Sequence, residues 1–236
     1  MSTPAPHPVR LAGKLDLPLS RWLWLVKWLL AIPHFIVLFF LFVAFFLLTI
    51  VAFFAILFTG RYPRGIFNFN LGVLRWGWRV AFYSYGALGT DRYPPFTLAE
   101  EPDYPATFEV PYPEQLSRGL VLVKWWLLAI PHYLILTVIF GGGSWYASKG
   151  YDDGYGGWGG PDLSTILVFI AAIALLFTTR YPRGIFDFVM GLNRWFARVI
   201  GYVTLMTDVY PPFRLDQGEE EPGPEPAEMP PAVPAA

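Results

Sequence analysis

The chain has 236 residues, a formal net charge of −1, and 15% charged against 55% hydrophobic side chains. Soluble domains carry about 25% charged residues, so this chain has too little polar surface to enclose its apolar content in water, and a bilayer is the expected solvent. The absence of a basic run excludes a nucleic-acid partner of the usual kind, and the absence of cysteine excludes disulfides, thiolate nucleophiles and cysteine-ligated metals.

Residues 1–18 are Pro-rich and carry Arg10, Lys14 and Asp16. They lack the short apolar core and small-residue cleavage site of a secretory signal, and a flexible cytosolic lead-in is expected. An apolar run follows from Trp22 to Thr59. The nonamer RYPRGIFNF begins at Arg61, then come Arg75-Trp76 and Arg79, and TDRYPPF begins at Thr90. After an acidic, Pro-rich linker over 99–115, the same order returns. Leu116-Ser117-Arg118 matches Leu19-Ser20-Arg21, VKWWLLAIPH ending at His132 matches VKWLLAIPH ending at His34, and RYPRGIFDF begins at Arg180. Arg194-Trp195, Arg198 and TDVYPPF from Thr207 complete the second copy. The chain is therefore a tandem duplication, with repeats at 19–98 and 116–215.

The copies differ by a Gly- and Asp-rich insert, residues 141–162, in the second apolar run. A polar insert cannot lie in hydrocarbon, where backbone groups find no partners, so its position predicts a membrane surface. Each copy then reads as a transmembrane helical hairpin. The spans are expected near 22–40 and 42–59 in the first copy and near 119–140 and 163–179 in the second, with 141–162 an outer loop. Under this topology Lys149 is the only one of the 17 Lys and Arg residues placed outside, as the positive-inside bias requires. The alternative for the first copy is an interfacial helix to Ile32 followed by one long span.

After each nonamer, helices are expected near 64–88 and 183–206. At 100° per residue, Asp187, Gly191, Arg194 and Arg198 share one stripe, as do Asn68, Gly72, Arg75 and Arg79. Two arginines at mid-span would cost about 2.5–3.5 kcal/mol each, so amphipathic helices lying in the interface are favoured, a third crossing being the alternative. The Pro pairs of TDxYPPF stop these helices. The tail, 216–236, is acidic and Pro-rich and is expected to be disordered.

The ordered set (A)IPH, RYPRGIF(D/N)F, RW…R and TDxYPPF, present twice, resembles the bacterial membrane protein family catalogued as domain of unknown function 4389. Copy one departs slightly, with Asn68 at the acidic position. The resemblance implies no substrate and no catalytic residue.

Among candidate site residues, Arg61, Arg64, Arg180 and Arg183 flank Pro-initiated helix starts, where free N–H groups and guanidinium could hold a lipid phosphate. Setting topology is the plainer role for them. Arg75, Arg79, Arg194 and Arg198 are candidate interfacial arginines. His34 and His132 form a candidate intramembrane pair, either a relay or caps for carbonyls freed by the preceding prolines. Lys27 and Lys124 are expected to snorkel to the cytosolic surface. Catalytic, metal-binding and cofactor sites are expected to be absent.

The sequence thus predicts an all-α integral membrane protein of two tandem repeats, each a transmembrane hairpin plus an amphipathic interfacial helix. The repeats are expected to be related by a two-fold axis along the membrane normal, with both termini cytoplasmic. Its expected role is a non-enzymatic, lipid-contacting interaction or scaffold protein, with membrane lipids as partners and a protein partner unidentified. The alternative is a small transporter or channel between the repeats.

Overall fold

The computed structural model describes residues 7–140 and 163–220. The expected outer loop at 141–162, residues 1–6 of the lead-in and residues 221–236 of the tail lie outside them.

The first apolar run forms one helix, α1 (Trp24–Thr59), of 36 residues, about 54 Å long at 1.5 Å per residue. The two spans expected at 22–40 and 42–59 are therefore a single element. Between Trp24 and Thr59 the run contains no Gly, Asn, Asp or Ser to form a turn. An apolar turn would also strand backbone polar groups. Pro33 sits inside α1 without ending it. Termination comes at Gly60, whose left-handed φ of 71° lets its N–H bond Ile56 O at 2.8 Å.

The second run is built from α3 (Leu120–Val123), α4 (Ile130–Phe140) and α5 (Leu163–Thr178). Thr179 occupies the position of Gly60, with φ 61° and its N–H on Leu175 O.

The amphipathic segments form α2 (Arg64–Tyr83) and α6 (Arg183–Val203). Pro63 and Pro182 are their N-caps, one position before the first helical residue. α2 returns antiparallel along α1. The contacts run from Asn70 on Thr49 (3.2 Å) through Trp76 on His34 (3.1 Å) to the Tyr83 ring, with Lys27 Nζ 4.9 Å from its centroid. The buried stripe of α1, Trp24, Lys27, Ala31, His34, Leu38, Phe45, Ala52 and Ile56, recurs every three, four or seven residues and faces this partner.

The far side of α2 and α6 is covered by a two-stranded antiparallel sheet, β1 (Arg10–Gly13) and β2 (Ala106–Glu109), with Leu11 opposite Phe108 and Arg10 opposite Glu109. Part of the lead-in and part of the linker are thus ordered, and the fold is mostly rather than wholly helical. Leu11 and Phe108 point inward while Arg10 and Glu109 point out, the period-two pattern of a half-buried strand. The result is three layers: α1 with α3–α5 outside, α2 and α6 in the middle, and the sheet with the connecting segments beyond.

The two glycines of the polar stripes admit the chain that returns after TDxYPPF. A Cβ on Gly72 would stand 2.8 Å from Leu98 Cβ and 2.9 Å from Leu98 O, whereas one on Gly191 would meet nothing nearer than 3.5 Å. Gly72→Ala should therefore lower stability by about 1–3 kcal/mol through overpacking. Gly191→Ala should be neutral or stabilising by up to about 1 kcal/mol, because alanine favours helix. Urea unfolding of the two variants in detergent measures the difference.

Candidate functional site

Each copy builds the same buried polar knot. Lys27 is 1% exposed, and its ammonium pairs with Asp91 at 2.9 Å and donates to Thr90 O at 2.6 Å. Lys124, 0% exposed, pairs with Asp208 at 2.7 Å and donates to Thr207 O at 3.0 Å. The other carboxylate oxygen accepts the backbone N–H of Ser20 or Ser117. The lysines expected to snorkel to the surface are instead interior ties. The loops reach back because Leu88 and Leu205, both buried, adopt left-handed backbone (φ 52° and 68°) just before Thr90 and Thr207.

About two turns along α1, His34 stacks on Phe96 with centroids 3.9 Å apart and planes 15° apart, beside Tyr93 and Trp76. Trp76 Nε1 can only donate, so its bond to His34 Nδ1 makes that nitrogen the acceptor and leaves the proton on Nε2. His132 stacks on Phe213 at 4.2 Å, beside Trp195 and Tyr210. Each histidine is enclosed by its own repeat. The structure does not bring the two together as a relay, and the YPPF aromatics of each repeat form these boxes.

The arginines of the polar stripes face the sheet layer, away from α1. Arg75 Nε donates to Phe108 O at 3.1 Å and Arg194 Nε to Leu11 O at 2.9 Å. Arg79 bonds Thr97 O, and Arg198 pairs with Asp216 at 2.5 Å. Arg79, Arg194 and Arg198 are buried, so these candidates hold protein carbonyls and carboxylate rather than water or lipid phosphate. Residues 216–219 belong to this layer too, as Gly13 N bonds Glu219 O at 3.0 Å.

The nonamer arginines behave differently. Arg61, Arg64, Arg180 and Arg183 are all exposed where the apolar runs end. Arg64 pairs with Glu114 at 3.1 Å and lies over the Tyr112 ring. The tyrosine between each pair of arginines is interior. Tyr62 accepts from Asn70, and burial pushes its hydroxyl up to about 12, while Tyr181 donates to Ala87 O at 2.8 Å. Among the described residues no group of three His, Asp or Glu could hold a metal ion.

Sequence reasoning missed the Lys–Asp ties. Their signal was present as VKW and TD, repeated in the same order in both copies.

His7, 4% exposed, accepts the Val9 N–H at Nδ1, and burial together with Arg198 lowers its pKa below the ordinary 6.5. The folded state holds it neutral while the unfolded state protonates it, so its contribution to stability is full above pH 6.5 and falls as pH drops below that value. His7→Asn should flatten the decline in unfolding midpoint between pH 7 and pH 5. For the ties, Asp91→Ala should cost about 3 kcal/mol by stranding a buried ammonium. Lys27→Met with Asp91→Asn should recover part of that loss. Chemical unfolding of the single and double variants gives the coupling.

No curated protein and no solved structure matches the chain. A family model described as "Domain of unknown function (DUF4389)" matches residues 21–97 and 163–214, one segment in each repeat and together more than half of the chain, and the chain belongs to that family.

Proposed function

We propose that the protein is a membrane-embedded, non-enzymatic scaffold that contacts lipid through its outer helical layer and offers its polar layer to the aqueous side. One observation carries this reading: α1, α4 and α5 present exposed apolar side chains on their outer faces. Phe39, Phe40, Phe46, Phe54 and Phe58 on α1 are between 51% and 72% exposed, and Leu134, Phe169 and Phe177 continue the surface in the second repeat. Soluble monomers rarely expose contiguous apolar patches larger than a few hundred Å².

The polar groups of the interior support a structural role. Lysines, arginines and histidines are engaged in tying loops, strands and helices together. Between the repeats, Phe82 meets Phe186 at 6.2 Å and Tyr181 bonds Ala87, which favours a packed scaffold over a transporter. Both ends of the described chain lie in the polar layer, as His7 against Val209 and Gly13 against Glu219, in keeping with termini on one cytoplasmic side. The nonamer arginines then stand where headgroup phosphates would be, and the acidic tail is the element suited to recruiting a protein partner.

Replacing Arg61, Arg64, Arg180 and Arg183 with Gln should reduce the anionic lipid retained in native mass spectrometry while leaving the fold intact by circular dichroism. Retention equal to the parent protein would remove headgroup contact from this reading.

A further inference from the structure

The way α1 is held within the fold fixes its direction relative to the polar layer, and hence to a bilayer. Its start is tied down by Lys27 on Asp91, by Tyr85 Oη on Trp24 O at 2.7 Å, and by the Ser20 N–H on the same aspartate. Its end is tied to that layer as well. Leu116 N bonds Gly60 O at 2.9 Å, Tyr112 Oη bonds Tyr62 O at 2.5 Å, and Arg64 pairs with Glu114. In between, α2 runs beneath it, and the far side of α2 carries the buried arginines and the sheet. A helix fastened at both ends to one aqueous layer cannot cross a bilayer without drawing that layer in.

Length gives the same answer. A straight helix of about 54 Å fits a hydrocarbon core of about 30 Å only at a tilt of roughly 56°, beyond the observed span of about 0–40°. The second run is held alike, with Lys124 on Asp208 near its start and Tyr181 on Ala87 just past its end. The two runs lie head to tail. The start of the second meets the end of α1 at Gly60, and Trp24 at the start of α1 packs on Phe169 of α5 at 5.9 Å.

We propose that α1 and α3–α5 lie in the plane of a single membrane leaflet, so that the protein is embedded from one side and crosses nowhere within the described residues. This rests on the membrane reading above and names its geometry. The occupant of the apolar face is a leaflet rich in anionic lipid. Arg21 and Arg61 bracket α1, Arg118 and Arg180 bracket the second run, and all four are exposed beside the apolar face. Exposed Trp22, Trp28, Trp125 and Trp126 mark the headgroup level near both starts. Immersion to about 5–10 Å covers such a face.

The chain has no cysteine, so Ser20→Cys with Thr59→Cys introduces the only two thiols, one at each end of α1. The protein is reconstituted into phosphatidylcholine–phosphatidylglycerol vesicles, floated, treated with a membrane-impermeant maleimide and weighed intact. An in-plane helix gives chains with two labels or none, whichever way each molecule faces. A spanning helix gives chains with one label and overturns the proposal. A nitroxide on Phe46→Cys provides a second readout, with a depth near the headgroups expected and a depth at the bilayer midplane overturning it. Failure to float would overturn the membrane reading itself, and a water-soluble dimer that protects the outer face would assign that face to a second copy of the chain.

Discussion

The buried ammonium of Lys27, clamped between the Asp91 carboxylate and the Thr90 carbonyl, is the contact on which the arrangement of each repeat turns. Hydrophobic attraction is not directional. A helix apolar on nearly every side would gain almost as much after sliding one turn or rotating on its axis. A desolvated lysine removes that freedom, because losing its partner costs about 3–5 kcal/mol. With Lys27 fixed, the rotation of α1 is fixed, and His34, seven residues on, must face the same way. Asp91 meanwhile holds the Ser20 N–H, so one carboxylate sets both the entry to the helix and its register against the loop. The identical construction at Lys124, Asp208 and Ser117 argues that this is the unit the duplication copied.

Strain elsewhere is the consequence of that tie. Leu88 and Leu205 hold left-handed backbone, a conformation that costs about 1–2 kcal/mol for a residue with a Cβ. Only such a reversal turns the chain leaving α2 or α6 back toward the start of the outer helix within two residues. Burial of both leucines and the ion pair beyond them offset the cost. Past the aspartate, the paired prolines keep the chain extended, which carries Phe96 and Phe213 onto the histidines.

Much of this was legible in the sequence, and what was not has physical causes. Repetition gave the two units, and the 3.6-residue stripe gave α2 and α6 with starts at Arg64 and Arg183. Periodicity reports only that one face differs from the rest. Arg79 and Arg194 on such a stripe look the same whether water, lipid phosphate or a row of backbone carbonyls lies opposite. Strands of four residues between prolines, as in β1 and β2, carry too few alternations to stand out. Apolar composition sets the expectation of a bilayer solvent but carries no orientation, which would depend on where both ends of α1 are fastened.

The sheet shows why two copies occur in one chain. Aligning Leu19 with Leu116 and continuing the offset backward sets Leu11 on Phe108, and these two residues face each other in the sheet register. Leu11 precedes the first repeat yet accepts from Arg194 of the second, while Phe108 precedes the second repeat yet accepts from Arg75 of the first. Each repeat therefore satisfies a middle-layer arginine with the segment leading into the other. A solitary repeat would lose the carbonyl that accepts this Nε–H and the partner of its strand's inner edge, although Arg75 would keep Glu100 and Arg194 would keep the carbonyls of 216–219. A buried donor left unpaired costs of the order of 1–3 kcal/mol. The two halves are coupled through their polar layer, and the outer helices, which share few such bonds, follow the frame that the exchanged strands impose.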